Sequence, residues 1–236
     1  MVKQHKYFCD QCDGLSNSLF NHLSPEDLAL LDENKTCQVY KKGQIIFHEG
    51  NKPMGIYCVQ EGSVKIYKTG VDGREQIVRM AKKGDFLGYR TLLGSDVYTA
   101  AGAAIVDAVI CFIDKQVFFD VVKRNEKMLW LFIELLATEL KAAENYIADM
   151  AQKTVRERLA EVLLLLKNKY GFHTTERNVL NVTLTRDELA SIVGTATETL
   201  IRHLSDFKDE CVIEVKGRKI KILDLPKLIK IANISL

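Results

Sequence analysis

The chain has 236 residues, 47% of them apolar, and a formal net charge of +2. That length exceeds a typical single domain and that apolar share fills two cores, while no apolar run approaches the ~18 residues of a membrane span. The opening residues carry no apolar signal-peptide core, so the chain is expected to be cytoplasmic and to contact no membrane, and its 6 cysteines read as free thiols or metal ligands rather than disulfides.

Residues 1–19 read as an N-terminal extension holding Cys9-Asp10-Gln11-Cys12, a Cys-x2-Cys spacing at which thiolates bind zinc or an iron–sulfur cluster. Residues 20–120 read as a second kind of segment. Ser24-Pro25-Glu26-Asp27-Leu28 is a helix start, with Ser24 as cap and Pro25 at the first helical position. Ten of the 14 glycines then fall between Gly43 and Gly102, separating the β-branched and aromatic runs 44–48, 56–60, 64–68 and 76–80. Thr69 to Gly73 is a hairpin turn. This spacing predicts short strands closed into a double-stranded β-roll, or jelly roll, within an α+β chain. Such rolls also occur in cupin-like metalloenzymes, which set the alternative reading. Its ligands reduce to His48-Glu49, and the next histidine is His173, so the paired-histidine set is missing. No Gly-Lys-Ser/Thr loop or Gly-x-Ser-x-Gly elbow is present either, and no enzyme is expected.

Residues 121–150 are expected to form one long helix. Leu129, Phe132, Leu136, Leu140, Ala143, Ile147 and Met150 recur every three or four residues, a stripe that serves either a two-chain seam or packing on the chain's own β-roll. Ala151 to Val155 is the expected hinge, and the helix 156–169 after it carries Leu163-Leu164-Leu165-Leu166 for a small core. Residues 151–236 hold 15 Lys/Arg against 11 Asp/Glu, leaving 18 against 20 before them, so the positive balance sits at the C-terminal end.

That end carries the most specific pattern. Thr185-Arg186-Asp187-Glu188 is a Thr-x-x-Glu capping box, with Leu189, Ala190, Ile192 and Val193 as the buried face behind it. Gly194 supplies a turn, and Thr195-Ala196-Thr197-Glu198 opens a second helix with Ala196, Leu200, Leu204 and Phe207 facing inward. Thr197, Glu198, Ile201, Arg202 and Ser205 face outward, where a guanidinium can read guanine and a carboxylate cytosine. A surface ion pair between Glu198 and Arg202 is the plainer alternative. Val212 to Ile222 then reads as a hairpin with a positive tip at Lys216-Gly217-Arg218, and Lys216, Arg218, Lys219 and Lys221 suit phosphates.

Leu184-Thr185-Arg186-Asp187-Glu188-Leu189, Ile192-Val193-Gly194 and Glu198-Thr199-Leu200-Ile201-Arg202 resemble the winged helix-turn-helix of the cyclic-AMP receptor protein and the fumarate and nitrate reduction regulator. The roll resembles that family's sensor domain over residues 20–114, through Lys42-Gly43-Gln44, Gly50, Gly62-Ser63-Val64 and Gly84-Asp85-Phe86-Leu87-Gly88. The resemblance covers about nine-tenths of the chain and implies a dimeric bacterial transcription regulator, with residues 151–236 as its DNA-binding domain. It assigns Glu198 and Arg202 to a G·C pair and a neighbouring guanine of a palindromic double-stranded site. Thr185, Arg186, Thr195, Thr197, Thr199, Ile201, Lys216 and Arg218 complete the expected contacts. Ile201 stands where the family has Ser or Gly, implying a half-site that differs at one flanking position. A recognition helix reads few base pairs, so a two-fold dimer gripping half-sites ~34 Å apart is preferred, through Leu129, Phe132, Leu136, Leu140, Ala143 and Ile147. An activator also needs RNA polymerase, and the loop from Gly84 to Leu93 resembles a polymerase-contacting surface.

The resemblance also bears on the signal. Where the family binds cyclic AMP it has a Glu and an Arg-Ser pair; here those positions hold Tyr89 and Tyr98-Thr99, with Arg90 adjacent. A cyclic phosphate loses its charge partner, so cyclic AMP is not expected, whereas another small ligand beside Gly88, Tyr89, Arg90, Tyr98 and Thr99 stays open. A cyclic-nucleotide regulator with a non-standard pocket is the alternative. One register places Cys9, Cys12 and Cys111 on three of the oxygen sensor's four cluster ligands and Ser18 on the remaining one, leaving Asp10, Asp13, His5 or Ser18 as the fourth. Cys37, Cys58 and Cys211 read as ordinary buried or half-buried thiols. An iron–sulfur cluster, zinc, a thiol switch and no cofactor all remain open.

Overall fold

The computed structural model describes residues 7–9, 12, 14–15, 18–94 and 97–233, which fall into two compact units, Met1–Lys141 and Ala142–Leu236. His5, Asp10 and Asp13, named above as ligand candidates, lie outside the described residues. In the first unit a 3-10 turn, Leu19–His22, leads to α1 (Pro25–Asn34). There the Asp27 amide donates to the Ser24 hydroxyl at 3.1 Å, the cap expected from Ser-Pro.

The strands β1 (Lys35–Tyr40), β2 (Ile45–Phe47), β3 (Gly55–Glu61), β4 (Ser63–Thr69), β5 (Glu75–Lys82) and β6 (Phe86–Leu87) follow, then the short helix α2 (Tyr89–Gly94), β7 (Ala101–Ala104) and β8 (Ala108–Asp114). They form two antiparallel four-stranded sheets, ordered β1-β8-β3-β6 and β2-β7-β4-β5. Ile46, Phe47, Val59, Val64, Leu87, Tyr98 and Ile110 fill one core cluster of this β-roll. Central strand β8 is buried or half-buried at every position, which is why its sequence runs apolar without alternation.

A second cluster is shared with α1, α3 (Lys115–Arg124) and the start of α4 (Glu126–Gln152), through Phe20, Leu31, Ile56, Phe86, Phe118, Val121, Met128 and Phe132. The stretch from Gly84 to Leu93 is not the exposed loop that the sequence suggests. It contains β6 and α2 and buries Phe86, Leu87, Tyr89 and Thr91, leaving Arg90 and Leu93 exposed.

The second unit opens with α5 (Val155–Tyr170), begun by a full Thr154/Glu157 capping box. Leu163, Leu164 and Leu166 are buried, but Leu165 points out, because four consecutive helical residues cannot share one face. The expected hinge narrows to Lys153 and Thr154, and Lys153 is pinned by Asp149 at 2.9 Å and Glu161 at 2.7 Å. Next come α6 (Arg186–Val193), α7 (Thr197–Asp209), β9 (Ile213–Lys216), β10 (Lys219–Ile222) and α8 (Leu225–Ala232). β9 and β10 pair antiparallel, and Val179 adds a bridge to Lys221 that the sequence did not announce. Among the described residues no helix is long and apolar enough to cross a membrane.

Candidate functional site

In the second unit α6 and α7 form a helix-turn-helix whose turn is built by local chemistry. The Glu188 amide donates to the Thr185 hydroxyl at 3.1 Å, and the Thr185 amide donates to the Glu188 carboxylate at 2.7 Å. Gly194 closes α6 at φ +71°, a left-handed position where a Cβ would meet Met150 Sδ at 2.8 Å. Across the turn the Thr197 hydroxyl donates to Asp187 at 2.8 Å, joining the two helix starts. Arg158 of α5, unremarked in the sequence, donates to the carbonyls of Val193 at 3.0 Å and Gly194 at 3.2 Å. It thereby satisfies the orphan acceptors at the end of α6.

The inward face of α7 is Leu200, Leu204 and Phe207; Ala196 is exposed and stands at the N-cap instead of in the core. Glu198, Ile201, Arg202 and Ser205 are exposed on the opposite face. Among the described residues neither Glu198 nor Arg202 has an ion-pair partner, so the surface-pair alternative fails. Thr195 and Thr199 are half-buried beside them. Thr185, Thr197 and Arg186 spend their side chains on structure, Arg186 by donating to the Gly217 carbonyl at 2.7 Å, which ties the helix to the wing. In the wing Lys216 and Lys221 both pair with Glu214, at 2.9 and 3.5 Å, and Lys219 pairs with Glu176. The Glu214 carboxylate is held below its usual range by Lys216. Among the described residues Arg218 is exposed and has no such partner, so there the positive tip narrows to one unneutralised guanidinium.

The five residues expected to line an effector pocket stand in different surroundings. Tyr98 is buried in the roll, stacked on Phe47 at 4.5 Å, with its hydroxyl over Gly88. Tyr89 belongs to the other core cluster, 5.8 Å from the Phe132 ring, and Thr99 is exposed. Arg79 gathers around Tyr89: it donates to the Tyr89 hydroxyl at 3.1 Å and to the Phe86 carbonyl at 2.6 Å, and it pairs with Glu139 of α4 at 2.7 Å. Arg90 lies 3.4 Å from the same carboxylate. Burial pushes the Tyr89 and Tyr98 phenols well above their ordinary range, so both stay neutral.

The cysteines are arranged differently from the expectation. Cys111 is bonded to Cys37 across β1 and β8, so neither is a free thiol and Cys111 is unavailable as a ligand in this form. Two cysteines held directly opposite on paired strands are close enough to oxidise, a juxtaposition that spacing in the sequence does not reveal. Cys211 is exposed, not buried. Cys9 is buried: its amide donates to Asp32 at 2.8 Å, and Lys35 Nζ donates to its sulfur at 2.9 Å. Burial raises the Cys9 thiol to about 11, against the lowering effect of Lys35. Cys9, Cys12, Ser18, Cys58 and Cys111 line one small cavity, of about 20 Å³. The Ser18 hydroxyl is spent on the Phe20 amide at 3.2 Å.

The stripe of α4 divides between two roles. Phe132 is 2% exposed and packs edge-on against Phe118, and Leu136 rests on the same core, so Phe132 does not belong to a two-chain seam. Ile133, absent from the expected set, is exposed in its place, together with Leu129, Leu140, Ala143 and Ile147. Leu129, Ile133, Leu136, Leu140, Ala143 and Ile147 now step by four and three in alternation, the spacing of a coiled-coil seam.

Comparison with known proteins accords with this geometry. Residues 37–125 match the cyclic nucleotide-binding domain family, and residues 157–231 match the Crp-like helix-turn-helix domain family. The chain is 27% identical over 206 residues to the fumarate and nitrate reduction regulatory protein of Vibrio cholerae, covering 87% of this chain and 81% of that one. It is 26% identical over 217 residues to the CRP-like cAMP-activated global transcriptional regulator of Mycobacterium tuberculosis, covering 91% and 96% respectively. The structure of FixK2 from Bradyrhizobium japonicum superposes with a TM-score of 0.76 at 23% identity, over 86% of this chain and 99% of that one, and so shares the fold.

Proposed function

The chain belongs to the cyclic-AMP receptor protein and fumarate and nitrate reduction regulator family of DNA-binding transcription regulators, not enzymes, and from that premise we propose a homodimeric bacterial regulator that reads a palindromic site under control of a signal received by its β-roll. The observation that carries this reading is the outward face of α7, where Glu198, Ile201 and Arg202 stand exposed and unpaired beside a wing tied to the helix by Arg186. A free guanidinium and a free carboxylate one turn apart are the groups that bond guanine and cytosine edges in a major groove. Ile201 offers only apolar contact, which favours a thymine methyl at the flanking position. Arg218 and the other wing cations bind phosphates without reading sequence.

The heptad stripe of α4 supplies the two-fold axis, and residues 121–150 act as the dimerisation helix between a roll at 20–120 and a DNA-binding domain at 151–236. The protein works in the cytoplasm, with RNA polymerase as partner where it activates. The signal is redox, a gas or a small ligand other than cyclic AMP. Arg79 and Arg90 are both turned to Glu139, and Tyr98 fills roll interior, which leaves a cyclic phosphate without a charge partner. Selection of bound sequences from random duplex DNA tests the reading. An enriched inverted repeat with half-sites about one helical turn apart is expected. Binding without sequence preference, or by a monomer, would overturn it.

A further inference from the structure

Arg158 stands near the start of α5 and spends its guanidinium on backbone carbonyls from two separate places. Nη1 donates to Lys153 at 2.8 Å, Nε to Val193 at 3.0 Å and Nη2 to Gly194 at 3.2 Å. Lys153 lies just past the end of α4, while Val193 and Gly194 close α6 at the turn into α7. A helix end presents carbonyls without intrahelical donors and carries a partial negative charge, so this one cation serves two such ends. The two ends also approach each other directly: a Cβ at Gly194 would stand 2.8 Å from Met150 Sδ and 3.7 Å from the Tyr146 hydroxyl, both on the last turns of α4. Lys153 in turn bridges Asp149 of α4 and Glu161 of α5, at 2.9 and 2.7 Å. All of these residues, together with the seam residues Ala143 and Ile147, belong to the second unit.

The pairing of α6 with α7 does not need this guanidinium. The Thr185 and Glu188 capping box starts α6, the Thr197 hydroxyl ties α7 to Asp187, and Leu200, Leu204 and Phe207 bury the inner face of α7. What Arg158 adds is a fixed relation between that helix pair and the end of α4. Its planar fork reaches three acceptors in set directions, which an ammonium on a flexible stem cannot hold in the same way. We propose that Arg158 is a positioning residue for DNA reading, which locks the recognition helix to the end of the dimerisation helix and thereby sets the half-site spacing that the dimer accepts. The inference rests on the reading of α7 as the recognition helix and of α4 as the dimerisation helix.

Two-fold symmetry makes spacing the property at stake. Each recognition helix is placed by its own α4, so a tilt of α7 against α4 is repeated in the partner and acts twice on the distance between the two helices. One inserted base pair shifts a half-site by ~3.4 Å and turns it by about a tenth of a turn. A clasped joint answers that error by distorting the DNA, which is costly, whereas a loose joint follows it. Base edges are met by Glu198, Ile201 and Arg202, none of which Arg158 bonds, so discrimination within a half-site is a separate property.

The test measures fluorescence anisotropy of labelled duplexes that carry the selected inverted repeat, the same repeat with one base pair added or removed at its centre, and the repeat with one guanine per half-site replaced. Full-length wild type is expected to bind the selected spacing about tenfold or more tightly than either altered one. Arg158→Met should cut that preference to about twofold while the penalty for the replaced guanine stays as in wild type. Arg158→Lys keeps the charge but not the fork, and should behave like Arg158→Met. A merely structural role would weaken binding to every duplex by the same factor and leave both ratios unchanged, which overturns the proposal. So does Arg158→Lys with the wild-type spacing preference, since charge alone would then suffice. Circular dichroism checks folding, and Arg158→Lys carries the test alone should Arg158→Met not fold. Wild type that reads half-site bases but accepts all three spacings overturns the clasp and leaves the regulator reading standing, whereas wild type that reads no bases overturns both.

Discussion

Arg79 on β5 and Glu139 on α4 meet at 2.7 Å with both side chains largely buried, so an ion pair ties the long helix to the β-roll. The same guanidinium also bonds the Phe86 carbonyl and the Tyr89 hydroxyl. Removing one partner strands the other charge away from water. Glu139→Gln should therefore destabilise the protein by about 2 kcal/mol, and Arg79→Met by a similar amount. Urea unfolding followed by circular dichroism measures both. A double variant should cost little more than either single change, and strict additivity would show that the two residues are not coupled.

The seam and the roll make opposite demands on adjacent residues of α4. Leu140→Glu and Ile133→Glu place a charge in the proposed dimer seam without touching either core, so each should yield a folded monomer in sedimentation equilibrium. Phe132→Ala removes a ring from the core and should cost about 3 to 5 kcal/mol of stability while leaving the association state alone. Dimers that survive both glutamate substitutions would mean that the exposed stripe has another partner.

The capping boxes, the helix-turn-helix and the α1 start were legible in the sequence because each is written in a few adjacent residues whose side chains bond their own backbone. Thr185 with Glu188, and Ser24 with Pro25, needed no tertiary information. In the α4 stripe Phe132 is buried and Ile133 exposed, a distinction hidden from the sequence because both are apolar and periodicity does not say which faces the roll. The cysteine row was not legible at all: Cys37, Cys58 and Cys111 are separated by other strands, and only strand register aligns them. The pairing of the wing lysines with Glu214 and Glu176 was likewise hidden, because counting charges gives no geometry.

Arg202 and Arg218 differ in what they are free to touch. Arg202→Ala should cost about 1 to 3 kcal/mol at one base position of the selected site and relax discrimination there. Arg218→Ala should weaken all sequences alike and lower the salt dependence of binding by about one counterion. Lys216→Ala should do less than Arg218→Ala, because the Lys216 charge is already offset by Glu214 at 2.9 Å. Fluorescence anisotropy on matched and mismatched duplexes at several salt concentrations separates the three. Equal loss of discrimination in the Arg202 and Arg218 variants would contradict this division.

Gly194 holds the turn between α6 and α7 in the left-handed region at φ +71°. Gly194→Ala forces an L side chain into that conformation and drives its Cβ toward Met150 Sδ, which must swing away. A cost of about 1 to 2 kcal/mol is expected in thermal unfolding. DNA affinity should fall further than stability alone explains, since the angle between the helices aims Glu198 and Arg202. A stable variant with undiminished affinity would show that the turn tolerates a side chain.

Cyclic AMP should bind neither tightly nor productively, for reasons that lie in the packing. Phe47 and Tyr98 stack inside the roll, and Arg79 and Arg90 are both turned toward Glu139, so a phosphate entering the roll meets rings in place of a free guanidinium. Burying that charge without a partner costs several kcal/mol. Titration calorimetry with millimolar cyclic AMP should show no heat, and DNA affinity should not change. Tyr98→Ala should open space at a cost of about 3 to 5 kcal/mol in stability, yet still fail to bind the nucleotide, because space does not supply the missing charge. Cyclic-AMP binding by the wild type would show that the Arg79–Glu139 pair opens to receive a ligand, and would return the β-roll to a nucleotide-sensing role.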